Sequence, residues 1–333
     1  MTAIPGSAKS RLIIIAMMAW GLAAPSAAPA LDFLPRLSSL LHLSEKPSEE
    51  MREEERISEA LNQNADYRSL YQSMENPNVQ LYRHVKPGEE LTYQAKWRGL
   101  PAGSIRLAAK RLTTLKNRPV FVFELSVESN DFLGAFYPID NSLNSYADAA
   151  NGRSYLLRRR ISERNRQYKD RLEFKYDSLF PNGLPNPESR YSRVDDLGQE
   201  TASQPFPIPG NLQDIVSAIY YVRDMKLAKI GDSCVILLGG RQKPVIARIT
   251  VIGEERLDIP NLGKFDCLVV EPSAEGANLS GNLLATRGGE KAWLEKHCLV
   301  PIQVSAEFPL PLGGMTATLI QAENCPLRQY AVN

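Results

Sequence analysis

The sequence predicts a mainly β protein: an antiparallel curved sheet forming an open barrel or β-spiral with a central helix, plus an N-terminal helical arm. Three observations predict it. Beyond Pro87-Gly88 the texture turns to period two, as in Leu91-Thr92-Tyr93-Gln94-Ala95-Lys96-Trp97-Arg98, the mark of a strand with one buried face. Twelve segments read as strands, mostly alternating in this way and joined by turns, which argues an antiparallel sheet with one wet face. So many consecutive strands must curl or close to manage their edges and twist. One stretch breaks the rule: Ile215, Ala218, Ile219 and Val222 follow helical spacing. An apolar helix inside a strand-rich chain most simply plugs or caps the curved sheet.

The chain begins with an export signature. Lys9 and Arg11 precede an apolar run from Leu12 to Ala24, long enough for a secretory signal and short for a membrane span. Ala28-Pro29-Ala30 supplies small residues for cleavage, so residues 1–30 are expected to be a signal peptide. No cysteine precedes Cys234, which excludes the lipid-modified cysteine of a bacterial lipoprotein. A periplasmic protein without a transmembrane span in the mature chain is the expectation.

Residues 31–87 form the expected arm. Glu, Arg, Ala, Leu and Gln dominate from Ser48 to Met74, without Gly or Pro, a composition that favours helix. Between Glu45 and Glu59 seven glutamates face Lys46, Arg52 and Arg56, a net charge of −4. Such a run is a solvated helix face or a partner-binding element.

The β domain is placed at 88–327, with 328–333 as a tail. Its expected strands begin with 91–98 and 104–112, joined by a turn at Leu100-Pro101-Ala102-Gly103. They continue at 121–127, 143–146, 155–163 and 167–176. Residues 180–210, rich in Pro, Asn, Ser and charge, read as a long loop. The inserted helix is expected at about 211–226 with Asn211 as N-cap. Strands then resume at 234–238, 245–251, 265–271, 291–294, 302–308 and 315–321.

Four cysteines occur, Cys234, Cys267, Cys298 and Cys325, an even set in an oxidising compartment. The hairpin of 299–308 and 315–322 brings Cys298 near the level of Cys325, so these two are the expected disulfide. Cys234 and Cys267 sit on the first and third strands of a meander, about 9.5 Å apart across two strand spacings and beyond disulfide reach.

The helix also carries a resemblance. Gln213-Asp214, Ser217, Tyr220-Tyr221 and Arg223 are similar to the run found in exported bacterial proteins catalogued as domain of unknown function 3108. The first hairpin, with Trp97 and Gly103, resembles that family's opening strand pair, and Trp293 and Pro301 resemble its closing Trp-to-Pro strand. The likeness spans roughly 88–323. It departs from the family at Lys296, His297 and Cys298, where Asp and Arg are usual. It implies an exported, β-rich protein without an assigned activity.

Composition narrows the function classes. With 39 basic against 38 acidic residues and a formal charge of +1 in 333 residues, the chain is no globally basic nucleic-acid binder. Three histidines leave little for metal or acid–base chemistry. No catalytic set, metal site or cofactor is read from the sequence. His297 beside Cys298 makes no dyad, because adjacent strand residues face opposite ways. The candidate binding residues are the aromatics Tyr93, Trp97, Phe121 and Phe123, able to line a cavity for an acyl chain or glycan. Arg158, Arg160 and Arg171 join them, from a hairpin (155–176) that carries a net charge of +5. Guanidinium groups there suit phosphates or carboxylates of lipid, glycan or protein partners. The expected function is a non-catalytic envelope protein that binds or scaffolds an envelope component through its curved sheet. The alternative is a hydrolase of envelope polymers using an acidic pair.

Overall fold

The computed structural model describes residues 82, 84–164, 166–178, 187–208, 210–240, 244–275, 290–308 and 313–332. The expected signal peptide, and the acidic arm as far as residue 81, lie outside the described residues. Fifteen strands form one antiparallel sheet. The first half holds β1 (Glu89–Trp97), β2 (Leu100–Leu115), β3 (Arg118–Ser129), β4 (Asp140–Asp148), β5 (Ser154–Glu163), β6 (Arg166–Lys175), β7 (Glu188–Asp195), β8 (Glu200–Ala202) and β9 (Phe206–Pro207). The second holds β10 (Ser233–Leu238), β11 (Val245–Ile259), β12 (Gly263–Glu275), β13 (Lys291–Glu295), β14 (Pro301–Phe308) and β15 (Gly313–Glu323).

Each half is a meander in chain order, and the last strand pairs with the first. β15 lies beside β1 from Glu323↔Glu90 to Met315↔Trp97, so the path runs β10 to β15, then β1 to β8, with β9 on β7. Register shifts interrupt the ladders, for example at Thr92/Tyr93, Ala109/Arg111 and Val251/Gly253. Each bends its strand and adds twist, which curls the sheet. Among the described residues no ladder joins β10 to β8, so the curved sheet is open. One segment spans the interior instead. Gln213 N–H donates to Leu237 O on β10 at 2.8 Å, while Leu212 O accepts from Ser154 N–H of β5 at 2.9 Å.

Two helices interrupt the sheet: a single turn, α1 (Asp131–Gly134), and α2 (Ile215–Val222) between the halves. α2 packs against β3, β4 and β10, and seven of its eight residues are buried. It is shorter than expected. Its N-cap is Asp214 rather than Asn211: Asp214 has extended backbone, and its carboxylate accepts from Val216 and Ser217 N–H while Ser217 Oγ accepts from Asp214 N–H. That reciprocal pair satisfies amides left open at a helix start.

Three further expectations are corrected. The first hairpin turns at Arg98-Gly99, both with positive φ (50° and 81°), a conformation suited to a two-residue turn. Gly103 therefore lies inside β2, where a Cβ would meet Glu128 O at 2.1 Å. The polar stretch 180–210 is no continuous loop. It holds β7 to β9, whose inward positions Ser189 and Tyr191 alternate with polar outward ones. Finally, all four cysteines are free. Cys298 belongs to the β13–β14 turn, donating its N–H to Glu295 at 2.7 Å, and β14 starts only at Pro301. The hairpin alignment does not extend back to it.

Candidate functional site

The residues of the helix motif act as fasteners. Asp214 is fully buried and accepts four hydrogen bonds, from Val216 and Ser217 N–H, Ser145 Oγ at 2.5 Å, and Ser154 Oγ. Burial pushes its pKa up, and these donors offset part of the shift. Gln213 Nε2 donates to Gly152 O at 2.7 Å. Together they tie the start of α2 to β4, β5 and β10. At the other end Arg223 makes a two-pronged ion pair with Glu89 on β1, and its Nη2 donates to His84 O at 3.1 Å. Both side chains of the pair have 0% exposure. Burial alone would lower the Arg223 pKa; the adjacent carboxylate more than reverses that, so the guanidinium stays charged.

Aromatic rings fill the space between α2 and β3. Phe123 stacks on Tyr220 with centroids 4.0 Å apart and on Phe121 at 5.5 Å. Tyr82 meets both phenylalanines edge-on, and its hydroxyl donates to Gly152 O at 3.1 Å. Phe121 and Phe123 are therefore ring neighbours within a packed core. Tyr93 is 5% exposed, and its hydroxyl donates to Pro301 O at 2.8 Å. Trp97 is half-buried at the end of β1 beside the Arg98 guanidinium.

The opposite side of α2 is different. Ala218, Ile219 and Val222 of the helix face Ile249 of β11, Val270 and Pro272 of β12, and Ala292 and Leu294 of β13. Leu299, Pro301 and Val304, in the β13–β14 turn and β14, complete the wall. The pocket encloses about 40 Å³ and opens to solvent, well short of the roughly 300–1,000 Å³ of preformed small-molecule sites, so a ligand longer than a few atoms would have to part α2 from the wall. Every lining side chain is aliphatic or proline. Of the expected binding residues, Tyr93 reaches it only through the Pro301 carbonyl, and Pro301 itself forms wall. No other expected residue lines it. Period-two reading could assign these positions to the core but could not show that α2 leaves space above them.

The remaining expected residues lie elsewhere. Arg158, Arg160 and Arg171 are exposed on the outward face of β5 and β6. Arg160 forms a two-pronged pair with Asp140 (2.9 and 2.7 Å), Arg171 pairs with Glu173 at 2.9 Å, and Arg158 lies over the Tyr146 ring. Tyr221 is buried on α2. Trp293 Nε1 donates to Glu255 at 2.7 Å across the sheet surface. Burial pushes the Cys234 and Cys267 thiols up to about 12 and Cys325 to about 11, so all three remain protonated and weakly reactive at neutral pH.

Sequence reasoning missed several buried polar partners. Glu89 shares the inward parity of Leu91, Tyr93 and Ala95; Asp170 shares that of Leu172 and Phe174; Arg159 lies between Leu157 and Ile161. A charged residue in the apolar phase of an alternating strand was the available signal. Arg159 and Asp170 indeed pair with each other at 2.6 and 2.5 Å, and Tyr191 Oη donates to Asp170 at 3.1 Å.

The family model described as "Protein of unknown function (DUF3108)" matches residues 92–320. The chain belongs to that family. Among curated proteins none matches. A solved structure similar to the chain is a beta-barrel-like protein of domain of unknown function DUF1849 from Brucella abortus, 8% identical. The match covers 74% of this chain and 98% of that one at a TM-score of 0.39. A protein with a YmcC-like fold from Bacteroides fragilis is 7% identical, with 74% and 100% coverage and a TM-score of 0.32. Family membership places the Gln213–Arg223 fasteners and the β11–β14 wall within the matched region. Among the described residues no helix is long and apolar enough to cross a membrane, and no cluster of His, Cys, Asp and Glu could hold a metal ion.

Proposed function

We propose that the chain is a non-catalytic exported protein of the cell envelope, periplasmic once its signal peptide is removed, which holds an apolar group of an envelope component. The open curved sheet is the container and α2 its central helix. The observation that carries this reading is the uniformly aliphatic pocket between α2 and β11–β14. A glycan would need polar side chains there to replace its water. An acyl chain matches the lining. Each methylene that enters contributes about 0.8 kcal/mol before the entropic cost of ordering the chain, so retention depends on how far α2 yields from the β11–β14 wall to admit it.

Native mass spectrometry of the protein isolated from the periplasm tests it. The expected spectrum shows a fraction carrying a lipid-sized adduct that organic extraction removes. A spectrum with apo protein alone, unchanged after incubation with phospholipid or fatty acid, overturns the reading.

A further inference from the structure

The outward face of β5 and β6 carries an arrangement that a sheet surface ordinarily avoids. In the β5·β6 ladder Arg158 stands opposite Arg171, and Arg160 opposite Lys169. Like charges directly opposite destabilise a strand pair. All four side chains are exposed. Their neighbours on the flanking strands offer little relief: Asn144 and Ser142 on β4, Ser192 and Val194 on β7. Asp140 and Glu173 each take one of the four. Among the described residues neither Arg158 nor Lys169 has an ion-pair partner.

The same chain contains the opposite charge. Residues 45–59 hold seven glutamates and a net charge of −4. The described chain starts at Tyr82, whose hydroxyl is bonded to Gly152 O in the β4–β5 turn. From that turn, at about 3.3 Å per residue, Arg158 and Arg160 lie roughly 13–20 Å along β5. The 23 residues from Glu59 to Tyr82 span about 75 Å fully extended and about 35 Å at helical rise. Tyr82 itself packs on the inward side, its ring against Phe121 and Phe123 and its N–H bonded to Asp224, so the chain must pass the strand ends to reach the outward basic face, for which its length is ample.

We infer that the acidic segment 45–59 docks in cis on the outward β5–β6 face, its carboxylates accepting hydrogen bonds from Arg158, Lys169 and Arg171. The interaction is electrostatic, exposed and salt-sensitive, so the segment serves as a detachable cover that a more strongly anionic surface displaces. This occupant is independent of the apolar pocket, which lies on the other half of the sheet.

Zero-length carbodiimide cross-linking of the full mature chain at low ionic strength reads the contact. The expected product is an amide between Lys169 and a glutamate within 45–59, formed within one molecule when labelled and unlabelled protein are mixed, and lost at ~0.5 M salt, where the Debye length falls to a few Å. Trypsin cleavage after Arg52 and Arg56 gives a second readout that does not depend on Lys169 reactivity. It rises several-fold in R158E/R171E, and the same two substitutions leave the rate unchanged in a chain whose Glu49, Glu50, Glu53, Glu54 and Glu55 are already Gln. Absence of the cross-link together with unchanged cleavage in R158E/R171E overturns the inference. So does a cross-link found only between molecules, which assigns the face to a second copy. Phosphatidylglycerol vesicles that bind the face equally well with Glu49, Glu50, Glu53, Glu54 and Glu55 changed to Gln assign it to an anionic lipid surface instead, uncovered by the segment.

Discussion

The two sides of α2 are built from different materials. Toward β3–β5 the helix meets stacked rings and hydrogen-bonded polar groups: Phe123 on Tyr220, Asp214 with its serines, Gln213 on Gly152. Toward β11–β14 it meets only aliphatic walls, with space left between them. The first side fixes where the helix sits, since hydrogen bonds and ring stacks have specific geometry. The second requires only volume, and volume can be occupied by something other than protein. The motif that characterises the helix thus belongs to the fixing side, while the proposed binding site lies on the plainer one.

Four expected outcomes probe this contrast. The largest comes from E89A, which strands the buried Arg223 guanidinium without its carboxylate. Breaking such a pair costs about 3–5 kcal/mol, read as a lower urea midpoint; a change below ~1 kcal/mol would mean that the pair is not the clamp described here. F123A follows closely, at about 3–5 kcal/mol for a cavity in a packed aromatic stack, and a much smaller loss would show that the ring side is as loosely filled as the pocket side.

D214A removes a helix cap and leaves two buried serine hydroxyls without their acceptor, costing about 2–4 kcal/mol. D214N separates charge from capping. Burial holds the Asp214 carboxyl above its ordinary range, so the folded chain binds that proton more tightly than the unfolded one. Its contribution is full below the unfolded pKa and is lost as pH rises through the raised folded value. Asp140 runs the other way: its hydrogen bond to Arg160 lowers its pKa, and its contribution is lost on acidification. The difference between parent and D214N stability curves should therefore slope only on the alkaline side of the ordinary carboxylate range; parallel curves would refute the assignment. The smallest stability effect is expected from A292L, which adds atoms where space exists. It should change stability by less than ~1 kcal/mol, whereas overpacking a filled core costs about 1–3.

The strands were legible because their inward faces are apolar and their outward faces polar, as in Leu91, Tyr93 and Ala95. The family was legible in the helix motif, and the family match over residues 92–320 brackets it. Other features depend on distance in the chain. Glu89 and Arg223 are 134 residues apart, and nothing local announces that they meet. The short strands β8 and β9 hid in a polar, Pro-containing stretch because two or three ladder pairs suffice for an edge. The pocket was illegible for a different reason. Ala218, Ala292 and Val304 read as ordinary core residues, and whether small side chains pack tightly or leave a gap depends on the separation of helix and sheet. The expected aromatic cavity had the reverse fate: the large rings found one another and filled their own space.

The most direct measurement is a fluorescence titration with a dansylated medium-chain fatty acid against the parent protein and A292F, with far-UV circular dichroism and the urea midpoint confirming that both are folded. The account predicts saturable blue-shifted emission for the parent, displaced by unlabelled fatty acid, and its loss in A292F. Equal binding by a folded A292F, or no binding by the parent, would contradict it.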